Sequence, residues 1–126
     1  YDVYMTGHSL GGALATLCAA KCAKRTHWEH ERQIRVVTFG SPRVGNLSWQ
    51  TAFSLLNILH VRFTNNCDVV TVLPSFNFYH TGEEIHLHGN RISIRNEDTW
   101  FFYRFSISDH STREYINSIR SILSLE

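Results

Sequence analysis

A serine framed by glycines, Gly7-His8-Ser9-Leu10-Gly11, restricts what this chain can fold into more than any other feature. Before it, Tyr1 to Thr6 alternates and is rich in aromatic and β-branched residues, the pattern of a short strand buried in a sheet. After it, from Ser9 to about Arg25, Leu10, Ala13, Leu14, Leu17 and Cys18 recur at helical spacing, and Lys21, Lys24 and Arg25 complement a helix C-terminus. Strand, sharp turn and helix are therefore expected in immediate succession. A serine on such a turn is held in a strained backbone conformation. Side chains two residues before and after it are expected to collide with the neighbouring strand or helix, which gives the glycines a steric reason. Gly12 and Ala13 let the helix lie close to the sheet. The hydroxyl then sits at a helix N-terminus, where backbone donors and the helix dipole favour negative charge. Ser9 is the candidate nucleophile, and a plain glycine-rich turn is the competing reading of the pattern alone.

The rest of the chain extends the same alternation of elements. Ile34 to Phe39 is a continuous apolar and β-branched run of the kind found in interior parallel strands, and it stops at Gly40. The loop GSPRVGN leads to a helix expected from about Leu47 to Leu56, and Ile58 to Thr64 reads as a third buried strand. Two strand-helix-strand units in succession predict an α/β fold, with a mostly parallel sheet covered on both faces. Past Asp68, Phe78 to Leu87 and Arg91 to Arg95 read as two strands joined at His88-Gly89-Asn90, an antiparallel edge on that sheet. Tyr115, Ile119, Ile122 and Leu123 place apolar residues on one face of a final helix, with Ser111 or Thr112 as its N-cap.

With 126 residues and 43% hydrophobic content, the chain can fill one domain and not two. A net charge of +1 gives no field to draw nucleic acid or an anionic membrane, and Glu29 and Glu31 interrupt the basic stretch from Lys21 to Arg35. No apolar run approaches the roughly 18 residues of a membrane span. Cys18, Cys22 and Cys67 cannot all pair, and a bridge between the first two would close only a short loop, so all three are expected to be reduced and partly buried. The chain starts at Tyr1 on an apolar strand, and any signal peptide or earlier portion of the domain is expected upstream.

A serine hydroxyl needs a base within hydrogen-bond reach and a carboxylate to fix that base's tautomer. Eight histidines compete. His8 lies in the turn with its side chain expected to point away from the serine; His27 and His30 read as solvated loop residues; His86 and His88 share one strand face and read as structural. His110, in Asp109-His110-Ser111-Thr112 just before the last helix, best fits the order Ser, acid, His, with His80 second. Among the acids Glu29, Glu31, Asp68, Glu83, Glu84, Glu97, Asp98 and Asp109, Asp68 follows the third parallel strand. The sheet delivers its loops to the side of Ser9 there. Asp109 is expected to diverge from the ring and cap the helix, and Glu83 and Glu84 to be exposed.

GHSLGGALA, TFGSPRVGN, RFTNNCDVVTVLP, YHTGEEIHL and DHSTREYI resemble, in order and rough spacing, the class 3 lipases, the fungal triacylglycerol lipase type of α/β-hydrolase. The resemblance spans nearly the whole chain. It implies nucleophile Ser9, acid Asp68 and base His110, with the Leu10 backbone N–H as one oxyanion donor. It implies no metal or organic cofactor, and a lipid ester met at a lipid–water interface as substrate. Residues 1–126 would be part of a catalytic domain, from the nucleophile strand to the helix after the histidine. An N-terminal half with earlier strands, the second oxyanion donor and a lid would complete it. This segment alone is accordingly expected to be unstable or nearly inactive. The same triad would serve a phospholipase A1 or a mono- or diacylglycerol lipase, and a non-catalytic lipase-like binding module is the reading from another class.

Overall fold

The computed structural model describes residues 2–25, 33–95 and 105–124. His27, Glu29, His30, Glu31, Glu97 and Asp98 lie outside them. The order of elements is β1 (Val3–His8), α1 (Leu10–Ala23), β2 (Ile34–Phe39), α2 (Leu47–Ser54), β3 (Ile58–Asn65), a 3-10 turn (Val69–Val72), β4 (Glu83–His88), β5 (Arg91–Arg95), a second 3-10 turn (Ser108–His110) and α3 (Thr112–Leu123). The strands form one sheet in the order β1-β2-β3-β4-β5, parallel from β1 to β4 and antiparallel between β4 and β5.

The register aligns Met5, Val36 and His60 across the sheet, and residues two apart share a face. On that face Ile34 and Val36 pack against Ala19 of α1, with Met5, Cys22, Ala23 and Ile58 around them. On the same face, Phe53 of α2 meets the ring of His60 at 5.8 Å. On the opposite face, Tyr115 of α3 meets Phe39 edge-on at 6.2 Å, and the buried Ser118 hydroxyl donates to Asn65 Oδ1 at 2.7 Å. Helices thus lie on both faces, but the cover expected on both is only partial: on the α3 side Tyr4, Leu59, Ile92 and Ile94 remain half or more exposed.

α1 turns its small residues inward, which corrects the face expected from its leucines. Gly12, Ala13, Thr16, Ala19 and Ala20 are buried, whereas Leu10, Leu14 and Leu17 are 67%, 57% and 44% exposed. Small side chains bring the helix axis close to the sheet, and the leucines then project outward. Cys18 follows the leucines and is exposed, Cys22 and Cys67 are half-buried, and all three are free thiols.

Three further expectations shift. β1 begins at Val3 and runs on to His8, because Gly7 and His8 continue the ladder opposite Thr38 and Phe39. The strand expected from Phe78 starts only at Glu83, because Asn77 and Gly82 adopt positive φ angles of 53° and 75° and bend the chain before it. Tyr79 pairs instead with Gly45 in the GSPRVGN loop, its N–H donating to the Gly45 carbonyl at 2.8 Å. At the end of α3, Leu123 is 65% exposed, outside the buried face. The α3 N-cap is Ser111, whose Oγ accepts from Glu114 N–H at 3.2 Å. Among the described residues no helix is long and apolar enough to cross a membrane.

The α2 side of β3 and β4 is polar and largely paired, with His60 Nε2 buried and without a hydrogen-bond partner among the described residues. Glu84, expected to be exposed, is buried. It accepts from Thr64 Oγ at 2.8 Å, and Arg62 and Arg95 lie at 3.7 and 3.8 Å. Thr64 Oγ also accepts from His86 Nδ1 at 2.8 Å, so His86 is structural as expected. His60 Nδ1 lies 3.0 Å from Thr81 Oγ1, and Arg62 Nε donates to the Thr81 carbonyl at 2.9 Å. Burial, with Arg62 beside it, lowers the His60 pKa to about 3. Burial, reinforced by Arg95, lowers that of His86 to about 4.

Candidate active site

Ser9 closes β1 and is the N-cap of α1, with φ 57° and ψ −131°. A non-glycine residue in this region stores roughly 1–3 kcal/mol of strain. A serine at a helix N-cap usually accepts a backbone hydrogen bond with its side chain, but Ser9 makes no such cap. Its Oγ lies instead 2.7 Å from His110 Nε2. Gly7 makes the turn possible, since a Cβ there would fall 2.3 Å from the carbonyl carbon of Gly11. Gly11, expected to be needed for the same steric reason, is not: a Cβ there would meet nothing within 4 Å. Gly12 is the other tight position, 2.8 Å from the Cβ of Ser41.

His110 lies in the turn before α3, and its Nδ1 is 3.0 Å from both Asp68 oxygens. An ionised carboxylate can only accept, so Nδ1 carries the proton and Nε2 presents a lone pair to the serine hydroxyl. Asp68 lies just past β3 with a side chain 1% exposed. Its charge is met by three donors: His110 Nδ1, the Val70 N–H at 2.9 Å and the Tyr115 hydroxyl at 2.7 Å. Burial, followed by the neighbouring Asp68 charge, raises the Tyr115 pKa, so the phenol keeps its proton and donates it. Ser9, His110 and Asp68, 101 and 42 residues apart, thus form one hydrogen-bonded line. The Leu10 N–H, at the first position of α1, has no intrahelical partner and lies beside Ser9.

Several supporting residues were invisible in the sequence or misread there. Tyr115 was legible only as an apolar position on a helix face. Gly40, where β2 was expected to stop, has φ +59°, and a Cβ on it would lie 2.8 Å from Asp68 Oδ2 and 3.0 Å from His110 Nδ1. Asp109 does not cap α3. Its Oδ2 accepts from Cys67 N–H at 3.1 Å and its carbonyl from Asn65 Nδ2 at 3.2 Å, which fastens the histidine turn to the end of β3. His8 does not stand aside from the site: its ring stacks on that of His110 at 4.7 Å. His80, the second candidate base, is buried elsewhere, its Nε2 donating to the Thr71 carbonyl at 2.6 Å, and burial holds its pKa well below the usual histidine value. In GSPRVGN, the buried Arg43 donates to the Val72 and Pro74 carbonyls at 2.9 and 3.2 Å and pins the segment after Asp68.

Known proteins resemble this chain in sequence and in fold. A lipase of Caenorhabditis elegans is 49% identical over 74 residues, 59% of this chain and 21% of that protein. A chloroplastic phospholipase A(1) of Arabidopsis thaliana is 38% identical over 73 residues, 58% of this chain and 16% of that protein. The structure of a fungal lipase–inhibitor complex superimposes with a TM-score of 0.80 at 31% identity, covering 94% of this chain and 49% of that one. The chain therefore spans a sixth to a fifth of the length of these curated relatives and about half that of the structural neighbour. The fold is that of the α/β-hydrolase lipases, carried here in part. The family described as Lipase (class 3) matches residues 1–78, and the chain belongs to it.

Proposed function

We propose that this chain carries the catalytic residues of a hydrolase acting on carboxylic esters of lipids. The observation that carries this reading is the line from Ser9 Oγ to His110 Nε2, and from His110 Nδ1 to Asp68, at 2.7 and 3.0 Å. Ser9 Oγ attacks the ester carbonyl as His110 Nε2 takes its proton, and Asp68 stabilises the imidazolium that forms. The tetrahedral oxyanion develops at the N-terminus of α1, where the Leu10 N–H serves as one donor. His110 then protonates the departing alkoxide, the alcohol leaves, and water hydrolyses the acyl-serine by the same proton transfers in reverse roles.

Residues 1–126 act in this reading as the nucleophile-to-histidine part of a larger catalytic domain. The remainder covers the free edge of β1 and the outward leucines of α1, and supplies the second oxyanion donor and lid. The triacylglycerol lipase type is the first substrate reading. The likeness to the Arabidopsis phospholipase A(1) favours phospholipid as the second. Profiling the full-length protein on triacylglycerol, mono- and diacylglycerol and phosphatidylcholine separates the two, since a phospholipase A1 releases the sn-1 acyl chain from the last. A full-length protein that hydrolyses none of them and forms no covalent adduct at Ser9 would instead be a binding module.

A further inference from the structure

The stacking of His8 on His110 has a use that the triad itself does not explain. His8 is the last residue of β1, and the register that pairs it with Phe39 puts its side chain on the α3 face of the sheet. Its Nε2 lies 2.7 Å from the His110 carbonyl oxygen. A carbonyl can only accept, so His8 Nε2 carries a proton and donates it. The two imidazoles stack with centroids 4.7 Å apart and planes inclined by 28°. The Tyr115 ring meets that of His8 edge-on, at 6.0 Å and 72°. Tyr115 in turn donates to Asp68 Oδ2, and Asp68 accepts from His110. The reacting imidazole and these three side chains thus form one closed cycle of contacts.

The other ties that place the histidine turn run to the end of β3, through Asp109 to Cys67 N–H and through Asn65 to the Asp109 carbonyl. They fix His110 relative to Asp68. The His8 bond fixes it relative to the turn that carries Ser9. We propose that His8 is a positioning residue for proton transfer. It locks the base's backbone and the plane of its ring to the nucleophile turn, so that Nε2 stays aimed at Ser9 Oγ through both halves of the reaction. This inference rests on the reading of Ser9, His110 and Asp68 as a triad. A misplacement of about 1 Å in such a pair can cost about 10²-fold in rate, which sets the scale of the expected effect.

The test uses the full-length protein and separates the two features of the ring. His8→Phe keeps a flat ring for stacking and removes the donor, while His8→Gln places an amide N–H near the position of Nε2. For His8→Phe, kcat should fall about 10- to 100-fold with KM unchanged, and the rate of fluorophosphonate labelling should fall in parallel. His8→Gln should recover most of both. The low-field proton resonance of His110 Nδ1, shared with Asp68, should broaden in His8→Phe and sharpen again in His8→Gln, a readout that requires no turnover. Urea midpoints confirm that each variant is folded. Wild-type labelling with an equal rate in folded His8→Phe overturns the role of His8 and leaves the triad standing, as does a His8→Gln as impaired as His8→Phe. No labelling of the wild type overturns both.

Discussion

Lowering the pH from 7.5 to 5 should destabilise this fold well beyond what its small net charge would cause, through the buried histidines beneath α2. His60 is held neutral with a pKa of about 3, against 6.5 for the unfolded chain. Between those values the unfolded state binds a proton that the folded state does not, so stability is intact above about pH 7 and falls as the pH drops through 6.5 towards 3. At pH 5 the unfolded side chain is almost fully protonated and the folded one almost fully neutral, which removes about 2 kcal/mol for this residue alone. His80 and His86 are depressed in the same direction by burial and add to the loss. With a urea dependence of about 3 kcal/mol per M for the larger domain that carries this segment, His60 alone should lower the unfolding midpoint by roughly 0.7 M. The assay is urea unfolding of the full-length protein at pH 7.5 and 5.0, in wild type and His60→Asn, whose amide stands near the Nδ1 that meets Thr81. The pH-dependent part of the midpoint should shrink in the variant by the amount assigned to His60. An identical pH dependence in both proteins, or an NMR titration of His60 centred near 6.5, would refute the reasoning.

Three other perturbations address the site. Gly40→Ala should cost about 1–3 kcal/mol for its positive φ, and should lower kcat/KM at least 100-fold by pushing a methyl between Asp68 and His110, measured on a short-chain ester beside a urea midpoint. Tyr115→Phe removes one of the hydrogen bonds to the buried Asp68 charge. Bonds to charged groups are worth about 1.5–3 kcal/mol, so kcat should fall about tenfold or more with little change in KM. Gly11→Ala should keep most of the activity while Gly7→Ala should fail to fold or label, since only the second Cβ strikes backbone; equal tolerance of both would contradict the geometry of the turn.

The strands and the serine turn were legible in the sequence because each rests on local pattern. Ile34 to Phe39 and Arg91 to Arg95 match the observed strands end for end, and Gly7 and Ser9 mark a turn that few other residues could make. The two side chains that line up with Ser9, His110 and Asp68, were legible from their order, their place before a helix or after a strand, and the family resemblance. What escaped was decided by size and by long-range contact. The buried face of α1 is set by which side chains are small enough to approach the sheet, so the leucines that dominate its apolar pattern point outward. Glu84 reads as a surface residue until Thr64, Arg62 and Arg95 converge on it from elsewhere in the fold. Asp109 reads as a helix cap because the competing donor, the Cys67 N–H, is 42 residues away. Tyr115 and His8 each have a bland local reading, and only the docking of α3 on the ends of β1 and β3 joins them to the base.

The central claim is that Ser9 is a nucleophile activated by His110. Incubating the full-length protein with a fluorophosphonate probe and mapping the adduct by mass spectrometry tests it most directly, with Ser9→Ala and His110→Ala beside the wild type. The account predicts one adduct on the peptide containing Ser9, absent in Ser9→Ala and formed at least 10³-fold more slowly in His110→Ala. A folded wild-type protein that takes up no probe, or that is modified at another serine and remains so in Ser9→Ala, would contradict it.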